Sequence, residues 1–478
     1  MLNAQSLTRI TTLAIGIAGA LACGQVHAAA FQLKENSAKG LGRAFAGSTS
    51  AWGDASVIGT NPASMRLLDG RQLQADLSAI SFSAEMTEKF GASYSNGAPI
   101  SGDNGGDAGM IAAVPAAYFH LPFGEKDNMH LGLSLQVPFG FATEYDKDWV
   151  GRYHGIKTDM KTVDLGASFS YDVNPYVSFG ASVFVQHMAI ELSNAIDFGS
   201  AINGAAQQRA AAGVLGSGGS AAQAQNAARQ AALQMAQMGF SPGTADGTMT
   251  VEGDNNALGF ILGTTLSPSE NTNIAISYRS KTKHKISSGD ASFDLPANAA
   301  TVLAATAPGQ YVDTKGKATL TLPAVATVSV THKINDQWQV MGDFTRTAWK
   351  PAFDQVTIDF ASNQADANLE FKYRDTTFVS IGTEYRLSDT VTLRGGLAYD
   401  QTPTTYAHRD VRVPDSTRKW LSLGLGWTPS EKVEYNFGYT HLFTSDPAVN
   451  LVSQTGSTLQ GKYEVVGDVI AASINYKF

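Results

Sequence analysis

One cysteine occurs in the 478 residues, Cys23, and it falls in the N-terminal leader described below. The mature chain is therefore left without disulfides, thiolate metal sites or a cysteine nucleophile. Charge is also scarce. Asp, Glu, Lys and Arg make up 16% of the chain, against about 25% in soluble proteins, yet the mean hydropathy is only −0.10. No apolar run beyond the N-terminus approaches the ~18 residues that a membrane helix requires. Few charges without long apolar runs suit a wall that is apolar on every second residue. The net charge of −8 argues against nucleic acid as a partner. Length alone allows roughly two or three soluble domains, but barrels use this much chain as one unit.

Signatures of catalysis are lacking as well. There is no serine nucleophile elbow and no glycine-rich phosphate loop with its lysine. Gly40-Leu41-Gly42 opens like a dinucleotide fingerprint, but Phe45 stands where it should continue, without a βαβ context. The nine histidines have no metal-ligand spacing, and His120, His130, His284 and His441 read as solvent- or interface-facing. No catalytic residue, metal or cofactor is expected.

Residues 1–28 have the layout of an export signal: Arg9, the apolar LAIGIAGALA, then Val26-His27-Ala28 with small residues at −3 and −1. Cleavage is expected after Ala28. Lipidation at Cys23 is disfavoured because the preceding Ala20-Leu21-Ala22 lacks leucine at the −3 position.

From Arg71 onward, segments that alternate apolar and polar residues recur between turn signals. In the last of them Ile470, Ala472, Ile474, Tyr476 and Phe478 fall on one face. Leu421, Leu423, Leu425 and Trp427 do the same, as do Leu165, Ala167, Phe169 and Tyr171. Short turns, such as Asn174-Pro175 and Ser388-Asp389, alternate with long polar ones near 89–109, 143–156, 198–253, 290–314, 361–366, 402–415 and 445–460. Short turns on one side and long loops on the other are the layout of an outer-membrane barrel, here with about 14 antiparallel strands over 71–478. Strand parity points Arg279, Lys281 and Arg394 inward. A barrel this wide is not filled by its own side chains. Residues 29–70, with apolar residues scattered among Gly, Ser, Thr and Asn and no period of two, are the expected plug.

The loop 198–253 is rich in Ala and Gln and poor in β-branched residues, which predicts one or two short helices broken at Gly216-Ser217-Gly218-Gly219. By composition it is a solvated loop tip. The alternative is an outer landing surface for apolar ligands built from Val214, Leu215, Leu233, Met235, Met238 and Phe240.

Several motifs carry a resemblance. Phe31-Gln32-Leu33, SAKGLGRAFAG, AWGDASVIGTNPA and, further on, VPFGFATEYDKDWVGRYHG stand in the order seen in the FadL family. That family comprises outer-membrane transporters of long-chain fatty acids and other hydrophobic compounds. The resemblance implies a hatch whose motif Asn61-Pro62-Ala63 sits against a kink in the third strand, matched here by Val137-Pro138-Phe139-Gly140-Phe141. Pro138 and Gly140 weaken ladder pairing on physical grounds too. It also implies an inner pocket touched by Phe31 and a ligand groove on the long loop. Arg279 and Lys281, inward by strand parity, are candidate carboxylate partners, the alternative being that inward charges only line and stabilise a wet lumen; the family's basic ligand residues do not map cleanly, one of them falling near His187. The terminal Phe478 resembles the signal read by barrel assembly machinery. The expected activity is passive transport of hydrophobic molecules, foremost long-chain fatty acids, with lateral exit at the kink. Aromatic hydrocarbon uptake and an outer-membrane lipid-acting enzyme are the alternatives.

Overall fold

The computed structural model describes residues 32–478. The leader, its cleavage point, Cys23 and Phe31 lie outside the described residues.

Fourteen antiparallel strands close into a barrel. The first three are β1 (Gln72–Ser93), β2 (Met110–Phe123) and β3, which runs Met129–Gln136 and resumes over Gly140–Glu144. Next come β4 (Lys157–Asn174), β5 (Val177–Asp197) and β6 (Asp246–Ser269). Two interrupted strands follow, β7 (Thr272–Arg279, then Thr282–Asp294) and β8 (Thr314–Leu322, then Ala324–Lys333). β9 (Trp338–Ala348, then Gln355–Phe360) and β10 (Ala367–Glu370, then Thr376–Arg386) are also split. The circuit ends with β11 (Val391–Asp400), β12 (Arg418–Ser430), β13 (Val433–Thr444) and β14 (Thr458–Lys477). Each strand pairs with its sequence neighbours, and β14 returns to β1 in a register running from Gln72↔Lys477 to Ser93↔Thr458. Closure removes the free edges of the sheet as a whole; one stretch between β2 and β3 departs from this and is described below.

The alternation works as period-two physics requires. Leu421, Leu423, Leu425 and Trp427 are exposed on β12 while Trp420 and Ser422 are buried. Ile470 is exposed on β14, between buried Val469 and Ala471. An apolar residue that is accessible on such a wall faces lipid rather than water.

Parity fails where a strand breaks. β7 pauses at Ser280-Lys281, so Arg279 and Ser280 both turn from the outer face, and Lys281 is exposed on it. The expectation of an inward Lys281 is thus corrected by a one-residue slip. The histidine expectation is corrected as well: His120, His130 and His284 are buried, and His120 Nε2 lies 3.0 Å from His130 Nδ1.

Of the long loop, residues 198–245 lie outside the strands and form two helices, α1 (Phe198–Gly216) and α2 (Ala221–Gln237). Asp197 caps the first, and Ser220 with Gln223 forms a capping box on the second. A third helix, α3 (Ala297–Thr306), stands in the next outer loop, where the sequence suggested only polar loop.

Candidate functional site

Residues 32–68 carry three short turns of helix and bond to strands around the whole circumference. Tyr118 on β2 donates to Asn36 O at 3.0 Å, and Gln136 on β3 to Gly59 O at 3.1 Å. Ser168 on β4 and Ser178 on β5 donate to Ile58 O (3.1 Å) and Ala63 O (2.7 Å). On the other side, Lys39 meets Glu434 of β13 at 2.7 Å, and Ala38 N–H donates to Asp76 of β1 at 2.8 Å. Arg43 lies between Asp54 (2.9 Å) and Glu384 of β10 (2.5 Å), and Glu384 also meets Arg394 at 3.2 Å. The inward cations Arg43 and Arg394 are therefore partnered by carboxylates.

Asn61-Pro62-Ala63 is placed by capping chemistry. Asn61 Oδ1 accepts from Ala63 N–H (3.2 Å) at the start of the 3₁₀ turn Pro62–Leu67, whose first residue has no N–H to satisfy. Its Nδ2 donates to Thr264 O of β6 at 3.3 Å. The approach is tight: a Cβ on Gly263 would stand 1.8 Å from Asn61 Oδ1, and one on Gly180 2.3 Å from Ala63 N. The motif therefore packs on β5 and β6, not on the third-strand kink as the resemblance implied.

The kink is met by the start of the described chain instead. Leu33 N–H donates to Pro138 O at 2.8 Å, and Gln32 forms an antiparallel bridge with Phe139. β3 itself is interrupted at Val137-Pro138-Phe139. Below, it pairs with β2 as far as Leu135↔Ala117; above, Gly140–Glu144 pairs with β4 alone. β2 runs on through Met110–Ala116 with β1 as its only ladder partner. The β2–β3 side is bonded again at Glu144 N–H to Ala108 O, 3.2 Å. Pro115, which has no N–H to give, falls in this unpaired stretch. Phe139 is turned inward and buried, its backbone held by Thr162 (Phe139 N–H to Oγ1, 3.0 Å).

Against the kink lies a cavity of about 110 Å³, lined by Leu33, Lys34, Phe45, Val137, Pro138, Phe139, Arg279 and Phe378. Arg279 thus joins the kink residues, but its guanidinium bonds Asp164 at 2.5 Å and stacks 4.0 Å from the Phe184 ring centre. Lys281 is not brought to this site.

Above it, β9 and β10 both leave the wall side by side. Trp349–Asp354 and Phe371–Asp375 turn inward and bury Trp349, Phe353, Phe371 and Tyr373 with Phe139, Phe141, Met160 and Met188. Trp349 meets Phe139 edge-to-face at 6.2 Å and Phe353 at 6.1 Å. Sequence reasoning missed this cluster, although Pro351, between Trp349 and Phe353, was a readable sign of a broken strand.

Beyond the cluster opens an outer cavity of about 910 Å³ with a mixed lining, in which Leu192, Ile196, Met249, Val251, Phe360 and Leu369 stand among polar and charged residues such as Asn368, Glu370, Asp410 and Arg412. Leu369 also packs on the aromatic cluster, and Phe139 belongs to both the cluster and the inner cavity, so the three are contiguous. On the outer loop, Leu233 and Met238 are exposed and Met235 is half-buried. Phe240 is buried among Phe198, Ile202, Ala299 and Leu303. It ties the loops together and is not part of an open landing surface.

A closed wall of this kind, with an apolar outward belt, short turns on one side and long loops on the other, defines an outer-membrane β-barrel. The chain belongs to the outer membrane protein transport protein family (OMPP1/FadL/TodX), whose model matches residues 19–478. It is similar to the long-chain fatty acid transport protein of Escherichia coli K12, 27% identical over 446 residues, with 93% of this chain and 94% of that one covered. It is also similar to outer membrane protein P1 of Haemophilus influenzae Rd, at 28% identity over 435 residues (88% and 87% covered). Among solved structures, a Pseudomonas aeruginosa FadL homologue superposes with a TM-score of 0.80 at 25% identity, over 94% of this chain and all of that one. The Ralstonia pickettii toluene transporter TbuX shares the fold, with a TM-score of 0.58 at 20% identity over 92% and 99%. The family is one of transporter channels for hydrophobic compounds.

Proposed function

We propose that this protein is a passive outer-membrane channel for long-chain fatty acids, with residues 32–70 as its plug and the interrupted third strand as its lateral exit. Cargo lands near Leu233, Met235 and Met238, gathers in the outer cavity and passes the aromatic cluster. It then reaches the cavity at Arg279 and leaves between β2 and β3. The observation that carries this reading is the contact of Gln32 and Leu33 with Phe139 and Pro138. The plug's leading residues pair with the backbone beside the stretch of wall that lacks a ladder. Displacing them frees Pro138 O and the cavity behind it while the rest of the plug stays bonded, with Asn61-Pro62-Ala63 as its anchor on β5 and β6. Phe478, exposed beside the seam with its N–H on Arg71 O at 3.0 Å, is the proposed assembly signal.

The name of the Escherichia coli relative supports fatty acid as cargo. The inner cavity favours a second reading. At about 110 Å³ it is nearer to a cavity of about 150 Å³ that holds benzene than to one for a long acyl chain, so monoaromatic hydrocarbons are the rival cargo. Uptake of labelled oleate and labelled toluene by cells lacking their own transporter and expressing this chain separates the two. Oleate uptake that toluene does not suppress supports the first reading; toluene uptake alone replaces it with the second.

A further inference from the structure

The outward face of β7 changes character in one step. Up to the pause at Ser280-Lys281 its exposed residues are Ile276 and Tyr278; after it the first exposed residues are Lys281, Lys283 and Lys285, while Thr282 and His284 are buried. The neighbouring strands change at the same level. On β6 the exposed Leu262, Phe260 and Leu258 give way to Asn256 and Asp254. On β8, Val330 and Val328 give way to Thr321, Thr319 and Lys317. The three lysines therefore stand at the upper edge of the apolar belt, on the side of the long loops, where lipid head groups lie.

Their side chains are unpaired: no described residue bonds or bridges to them. This sets them apart from Lys157, which meets Glu191 at 2.8 Å, and from Lys315, which pairs with Asp290. Asp359 stands in register with Lys317. The nearby acids Asp290 and Asp359 are thus matched to β8, while Asp254 and Glu252, exposed on β6, are bridged to none of the three lysines. Residues two apart on a strand are separated by about 7 Å, so the three ammonium groups rise from a ladder about 13 Å long. Thr319 and Thr321 stand in register with Lys285 and Lys283 and add hydroxyl donors on the same face. In a chain of net charge −8, such a row of unpaired cations calls for an anion that the surroundings supply.

We propose that Lys281, Lys283 and Lys285 form a docking site for the phosphorylated head group of an outer-leaflet glycolipid, whose acyl chains lie on the belt of Tyr278, Phe260 and Leu258. Lysine is a flexible point charge with three donors and suits phosphate oxygens. A ladder of this length fits a head group with more than one phosphate, and the outer leaflet of this membrane is built of such lipids. The site is independent of the transport reading, because it lies on the other face of the wall.

The test uses the full-length protein in neutral detergent and bis-phosphorylated lipid A as probe, with bound lipid read by native mass spectrometry. Wild type is expected to hold lipid A, and K281Q/K283Q/K285Q to bind it about a hundredfold more weakly, at roughly tenfold or less per lysine. K281R/K283R/K285R should retain binding, and added salt should weaken it in wild type. Heat-modified gel mobility confirms that each variant is a folded barrel. Undiminished binding by the glutamine variant overturns the proposal. So does equal binding of dephosphorylated lipid A, which would mean that the apolar wall alone holds the lipid, or equal binding of phosphatidylglycerol, which would mean that any anionic lipid serves.

Discussion

The interior toward the short turns and the interior toward the long loops are closed by different chemistry. In the first, Arg43, Asp54, Glu384, Arg394, Lys39 and Glu434 form a run of ion pairs at 2.5–3.5 Å between the N-terminal segment and the wall. In the second, Trp349, Phe353, Phe371, Tyr373, Phe139, Met160 and Met188 form an apolar cluster, and ion pairs such as Arg412–Asp410 at 3.0 Å stand at its margin. Buried charges are costly unless matched, which gives the first region one favoured arrangement. Rings and thioethers tolerate repacking and present an apolar surface to whatever slides between them. The proposed channel, which has to hold its plug yet pass apolar cargo, has use for both.

The comparison breaks most severely at Arg43. Arg43→Met strands Asp54 and Glu384 without their shared cation and should cost about 3–5 kcal/mol. Urea unfolding in detergent should show this loss, and planar bilayers should show ion conductance if the segment then leaves its seat. An unchanged midpoint would mean that the charge run holds nothing.

Truncating the other region should be milder. Trp349→Ala removes one ring from the aromatic cluster and should cost about 3 kcal/mol, the low end for such truncations, since the cluster borders an open cavity. Cargo passage should quicken, because a barrier between the outer and inner cavities is thinned. Slower uptake with the fold intact would show the cluster to be a guide surface and not a barrier.

A third difference is sensitivity to acid. His154, in the outer loop after β3 and lining the outer cavity, is buried with Nε2 unpartnered. Burial holds its pKa down at about 4, from the ordinary 6.5. The unfolded loop takes up the proton first as pH falls. Stability from the neutral ring is therefore complete above pH 6.5 and drains away toward pH 4, at up to about 1.4 kcal/mol per pH unit. His154→Gln should flatten that part of the pH dependence of thermal unfolding; an equal slope in the variant would assign it to the carboxylates.

The barrel was legible in the sequence because lipid and lumen demand opposite side chains, and residues such as Leu421 to Trp427 obey that demand one by one. Turn length marked the two ends of the wall for the same reason. What escaped were departures from the period. The pause at Ser280-Lys281 reversed the side of a lysine, since a slip of one residue moves every following side chain to the other face. The inward turns of β9 and β10 went unread, and only Pro351 hinted at one of them. Phe240 and Leu233 look alike in a list of apolar loop residues, and only the docking of α3 against α1 buries the first and leaves the second open. The kink itself was visible, because proline and glycine cannot hide in a ladder. Its partner was misjudged, because an Asn-Pro turn shows its local shape in sequence but not the strand it rests on.

The claim on which the account turns is that cargo leaves through the wall where β3 loses its pairing with β2. Pro138→Val with Gly140→Val restores an N–H and a side chain to that stretch and favours an unbroken ladder. With the variant confirmed as a folded barrel at wild-type abundance, labelled oleate uptake is predicted to fall at least about tenfold, a barrier rise of about 1.4 kcal/mol. Uptake at the wild-type rate would contradict it.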